Sequence, residues 1–63
     1  MKNNIKIQRA IYQLTQAELA ERVGVSRQTI HAIETGKYNP SVVLAIRIAR
    51  VFQKPVEEIF LLE

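Results

Sequence analysis

Two stretches with complete helix-start signals, Gln16–Val23 and 27–35, are separated only by Gly24, Val25 and Ser26. No other feature restricts the fold as much. Thr15 stands before the first stretch with Glu18 three residues on. Its hydroxyl can accept from the Glu18 amide while the Glu18 carboxylate reaches back, a capping box. Leu14 and Leu19 flank that cap at staple spacing, and Leu19, Ala20 and Val23 form the apolar stripe. Gly24 follows Val23 directly, where glycine stops a helix in the left-handed backbone at least cost. Val25, Ser26 and Ile30 then repeat the staple and the cap. Three residues leave no room for a loop, so the two helices must cross closely, and Ala20 supplies the small side chain for that crossing.

The flanking segments are read the same way. Residues 4–12 form a helix, with Ile5, Ala10 and Ile11 on its buried side and Lys6 and Arg9 elsewhere. Gly36 ends the third helix, 37–40 is a turn, and Ser41 caps a fourth helix over 42–52. At 100° per residue Ala45, Ile48, Ala49 and Phe52 share one side, opposite Arg47 and Arg50; Val43 falls among the arginines and Ile46 at the margin. Pro55 suits the first position of a fifth helix, 55–61, with Glu57 and Glu58 near its positive end. The expected fold is all-α: five short helices around one core, a single domain over residues 1–63.

Composition narrows the function classes. A chain of 63 residues buries roughly 60% of its unfolded surface, which is marginal. It has no cysteine and one histidine, so no disulfide, metal site or other cofactor is expected. There is no cysteine nucleophile and no carboxylate pair at a catalytic spacing. The hydroxyl residues mostly serve as caps, so no catalytic residue is expected. No apolar stretch approaches the ~20 residues of a membrane span, and MKNNIKIQ lacks a signal-peptide core. A cytoplasmic protein is the expectation. The net charge of +3 suits a polyanionic partner.

On a helical wheel Ile30 and Ile33 point to the core, while Gln28, His31, Ala32 and Thr35 point away, with Arg27 at the flank. Two helices joined by so tight a turn, the second with a polar outer face, have the layout of a helix-turn-helix. That device holds a helix out to enter a DNA groove. Arginine can donate twice to guanine O6 and N7, and glutamine can pair with adenine N6 and N7.

The string Leu14-Thr15-Gln16-Ala17-Glu18-Leu19-Ala20, followed by Val23-Gly24-Val25-Ser26, Ile30, Ile33-Glu34 and Gly36-Lys37, resembles the Cro/C1-type (XRE) helix-turn-helix family. Pro40-Ser41, Ile48-Ala49 and Glu58-Ile59-Phe60 continue the match over residues 5–60. The RQTI, GKYNPS and EEIF segments resemble its short stand-alone members. The resemblance implies a lambda-repressor-like fold and a sequence-specific regulator of transcription bound to double-stranded DNA; a repressor on a palindromic operator is the expectation. It implies base reading by Arg27, Gln28, His31 and Ala32, and phosphate contact by Gln16, Thr29, Lys37, Tyr38 and Asn39. Gln16 also stands where it can buttress the start of the helix over 27–35. Glu34 matches a position that pairs with an arginine of the first helix, here Arg9. Two positions depart from the family pattern. Ala32 offers only apolar contact, for instance to a thymine methyl, and His31 occupies a site that is often small and polar.

Helix-turn-helix dimers place two reading helices about 34 Å apart on one DNA face. Ile59, Phe60, Leu61 and Leu62 are more apolar residues than a short closing helix buries. A homodimer through Val56, Phe60, Leu61 and Leu62, with Ile46, is therefore expected, without a small-molecule effector. The competing interpretation is an antitoxin-like interaction module, its apolar tail holding a partner protein and its DNA binding serving autoregulation.

Overall fold

Every expected hydroxyl cap is made. Glu18 N donates to Thr15 Oγ1 at 3.0 Å, and Thr15 N donates to Glu18 Oε1 at 2.9 Å. This reciprocal bonding, first through the Thr15 backbone amide and then through its hydroxyl, holds the Glu18 carboxyl below its ordinary range. Ser26 Oγ accepts from Thr29 N at 3.2 Å, and Ser41 Oγ accepts from Leu44 N at 3.1 Å. The computed structural model describes residues 2–62. Its helices are α1 (Ile5–Tyr12), α2 (Gln16–Val23), α3 (Arg27–Glu34), α4 (Val42–Val51) and α5 (Val56–Ile59).

Gly24 ends α2 at φ +78°, and the next amide, Val25 N, donates to Ala20 O at 3.0 Å. A Cβ there would meet nothing closer than Arg47 Nη1 at 4.0 Å, an ordinary contact. Gly24→Ala is therefore expected to bring the left-handed penalty alone, about 1–2 kcal/mol. The thermal midpoint should fall by about 4–8 °C per kcal/mol. A fall of less than 2 °C would mean that the joint relaxes into another turn.

Fourteen apolar side chains from all five helices and the adjoining segments form one core, with Ile5, Leu19, Ile30, Ile33, Ile48, Phe52 and Ile59 essentially sealed from solvent. The α4 stripe of Ala45, Ile48, Ala49 and Phe52 is buried as expected, and Leu44 joins it. Val43, Arg47 and Arg50 are exposed.

Three expectations require correction. The inner side of α1 is Ile5 and Gln8, with Arg9 half-buried; Ala10 is exposed and Ile11 is 63% exposed. The rotation follows from tertiary bonds. Arg9 reaches α3, and the Tyr12 hydroxyl donates to Phe52 O at 2.7 Å while its ring lies 5.6 Å from that of Phe52. Asn4 N donates to Ile59 O at 3.0 Å and Asn4 Nδ2 to Glu58 O at 2.8 Å, fixing the entry to α1.

The fifth helix ends at Ile59 instead of residue 61, and Pro55 is its extended N-cap. Phe60 is extended as well (φ −110°, ψ 117°). Phe60–Leu61 forms a strand, β2, paired antiparallel with Lys2–Asn3, β1, in the register Lys2↔Leu61 and Asn3↔Phe60. A two-residue ribbon thus ties the beginning of the described chain to its end. Phe60, expected on a subunit interface, is only 6% exposed and belongs to the core.

Candidate nucleic-acid interface

α3 is anchored from behind by Ile30 and Ile33, both sealed in the core. Its other side presents Arg27, Gln28, His31 and Thr35 to solvent, with Thr29 and Ala32 half-buried. No neighbouring element covers Gln28, and Ala32 keeps part of its surface. Thr29 Oγ1 lies 3.0 Å from Ser26 Oγ, so its hydroxyl is engaged with the cap at the start of the helix. The Thr35 hydroxyl donates to the carbonyls of His31 and Ala32 at 3.0 and 3.2 Å. Lys37, Tyr38 and Asn39 are exposed just beyond α3, where Gly36 (φ +78°) reverses the chain. The amides of Lys37 and Tyr38 both donate to Ala32 O, at 2.9 and 3.2 Å, which folds this turn against the end of α3.

Behind that surface runs a polar relay. Arg9 binds Glu34 in a two-pronged pair, Nε to Oε2 at 2.6 Å and Nη2 to Oε1 at 3.1 Å, with side chains only 15% and 7% exposed. Its Nη1 also donates to Leu14 O at 3.0 Å. The pair therefore holds α1, α3 and the α1–α2 corner together. Gln16, half-buried at the start of α2, donates from Nε2 to Glu34 Oε1 at 3.1 Å, and the same nitrogen lies 3.2 Å from His31 Nδ1. Gln16 buttresses α3 near the middle and end of the helix, further along than the start where it was expected.

One positioning residue escaped the sequence reading. Asn3 Nδ2 donates to Ile33 O at 2.9 Å and so fastens the last turn of α3 to β1. The two residues are 30 apart, and no local pattern joins them.

A family model described as helix-turn-helix matches residues 5–59. The chain belongs to the Cro/C1-type helix-turn-helix family. It is 56% identical over 63 residues to an uncharacterized HTH-type transcriptional regulator of Methanocaldococcus jannaschii, covering all of this chain and 96% of that protein. It is 48% identical to the uncharacterized HTH-type transcriptional regulator YgzD of Bacillus subtilis, again covering all of this chain and 96% of the relative. The crystal structure of the restriction-modification controller protein C.AhdI from Aeromonas hydrophila superposes with a TM-score of 0.81 at 27% identity, over 89% of this chain and 85% of that one.

Helix-turn-helix proteins of this kind are transcriptional regulators that bind double-stranded DNA, a non-enzymatic class. In this helix-turn-helix chain α2 and α3 are the paired elements. Among the described residues no helix is long and apolar enough to cross a membrane. Of the basic residues, Arg9 is committed to Glu34, and Lys54 Nζ lies over the Tyr12 ring at 5.4 Å from its centroid. Lys2, Lys6, Arg22, Arg27, Lys37, Arg47 and Arg50 are exposed.

Proposed function

We propose that this helix-turn-helix protein is a sequence-specific repressor that lays α3 in the major groove of its operator. The outward face of α3 carries this conclusion: Arg27, Gln28 and His31 are exposed on one side of a helix whose other side is sealed by Ile30 and Ile33. Arg27 and Gln28 would read base edges, with Ala32 packing against a thymine methyl. Lys37, Tyr38 and Asn39 would contact the backbone past the end of α3, with the backbone amide of Gln16 at the start of α2 and Thr29 near the start of α3. A promoter occupied through α3 would be closed to transcription, which makes repression the proposed sign.

A second copy would complete the reader. Pro40, Val42, Ala45, Ile46, Val56 and Leu62, with Glu57 as the one charged member, line a largely apolar groove beside Phe60. Val42 is 76% and Leu62 92% exposed, so the surface is left open in a single chain. Covered by its own symmetry mate, it would form an isologous interface and set two α3 helices on successive major grooves.

Selection of bound duplexes from a random DNA pool tests these assignments together. A palindromic winner bound by two chains is expected. Arg27→Ala and Gln28→Ala should each relax the preference at their own positions, a discrimination of about 1–3 kcal/mol. Lys37→Ala should weaken binding to all sequences alike. An Arg27→Ala protein with undiminished preference would overturn the assignment of readers. A single half-site bound by one chain would instead leave the groove to a different protein, as in an antitoxin.

A further inference from the structure

We infer that His31 is a donor-only reader whose tautomer is set by Gln16, so that the base it faces must offer an acceptor and cytosine is rejected. The inference rests on the groove reading proposed above and adds a role that Arg27 and Gln28 do not fill.

The chemistry follows from one end of the relay to the other. Arg9 can only donate, and its two-pronged grip holds the Glu34 carboxylate in place. The carboxylate can only accept, so the Gln16 atom 3.1 Å from Glu34 Oε1 must be the amide nitrogen. Turning the amide over would set oxygen against oxygen. That nitrogen carries two hydrogens and no acceptor, and His31 Nδ1 lies 3.2 Å from it. Nδ1 must therefore accept and be unprotonated, and a neutral ring then carries its single hydrogen on Nε2, the distal nitrogen. His31 is exposed on the reading side of α3. A fixed Nε2–H suits guanine O6 or N7, adenine N7 or thymine O4, whereas cytosine shows only its N4 amino donor in the major groove.

Two measurements test this. The first needs no DNA: nitrogen-15 correlation spectra of the histidine ring recorded in alkaline buffer. A single Nε2–H tautomer is expected in the wild type, and a mixture in Gln16→Met, which lacks the donor. A populated Nδ1–H form in the wild type would overturn the inference. The second is duplex selection with the wild type and His31→Ala. The wild type should disfavour cytosine about 5–10-fold at one position of each half-site, the size of one good hydrogen bond. His31→Ala should flatten that position alone. A selection profile unchanged by His31→Ala, or a uniform loss on every sequence, would overturn the assignment while leaving the groove reading intact. A wild type without any preferred sequence would overturn the groove reading itself, and the role of His31 with it.

Discussion

Affinity for the operator is expected to fall by about 10³–10⁵ between 50 and 200 mM monovalent salt. The cause is counterion release. Each phosphate neutralised by a lysine or arginine frees a condensed cation, and log K then falls with log salt at a slope near −0.9 per phosphate. A dimer contacting 6–10 phosphates, about three to five per chain, produces the stated range. The exposed basic residues Lys2, Lys6, Arg22, Arg27, Lys37, Arg47 and Arg50 are numerous enough for that count, whereas Arg9 and Lys54 are engaged internally. Fluorescence anisotropy with a labelled operator across a salt series measures the slope. Lys37→Ala should make it shallower by about one unit per chain that makes the contact. A loss of less than tenfold over this range would contradict binding through phosphates at the proposed scale.

Glu34→Ala is expected to be the most damaging single change among the polar residues of the site. Removing one member of a buried ion pair strands the other, and such changes cost about 3–5 kcal/mol. Arg9 retains 15% exposure and its bond to Leu14 O, which places the effect near the lower end, about 3 kcal/mol. A chain of this length has a total stability of only about 3–9 kcal/mol, so the variant should be largely or partly unfolded at 37 °C. Replacing both partners, Arg9→Met with Glu34→Leu, leaves no stranded charge and should recover most of the loss. Denaturant midpoints distinguish the two. A Glu34→Ala loss under 1 kcal/mol would reduce the pair to an ordinary surface contact. The double variant carries a further expectation. Gln16 then has no carboxylate to hold its amide, so stability should return without full restoration of sequence preference.

How much of this molecule could be read from its residues depended on distance along the chain. The capping box at Thr15 and Glu18, the serine caps at residues 26 and 41, and the glycine stop at residue 24 involve partners at most five positions apart, and each is formed as expected. The stripes of α2, α3 and α4 were equally legible, because a dominant apolar side on a short helix leaves one way to face a core. Arg9–Glu34 was reached through family resemblance, since nothing local connects residues 25 apart.

α1 shows where local pattern ran out. Ile5, Ile7 and Ile11 do not share one side, and the side expected to be buried, Ile5, Ala10 and Ile11, is itself spread around the helix, so periodicity chose the wrong face. Bonds from Arg9, Tyr12 and Asn4 to distant partners chose the face that buries Gln8 and leaves Ile7 and Ile11 about 60% exposed. The ribbon joining Lys2–Asn3 to Phe60–Leu61 has the same origin, and it converts the expected end of the last helix into a strand and draws Phe60 inside. In the same way His31 was visible as an outward-facing ring, but which of its nitrogens holds the hydrogen depends on Gln16 and Glu34, brought beside it by folding. Caps, turns and helix stripes are settled by neighbours within a turn or two. Helix rotation, strand pairing and the hydrogen-bonding state of the reading face arise only when remote segments meet, because each needs a partner that the local chain does not contain.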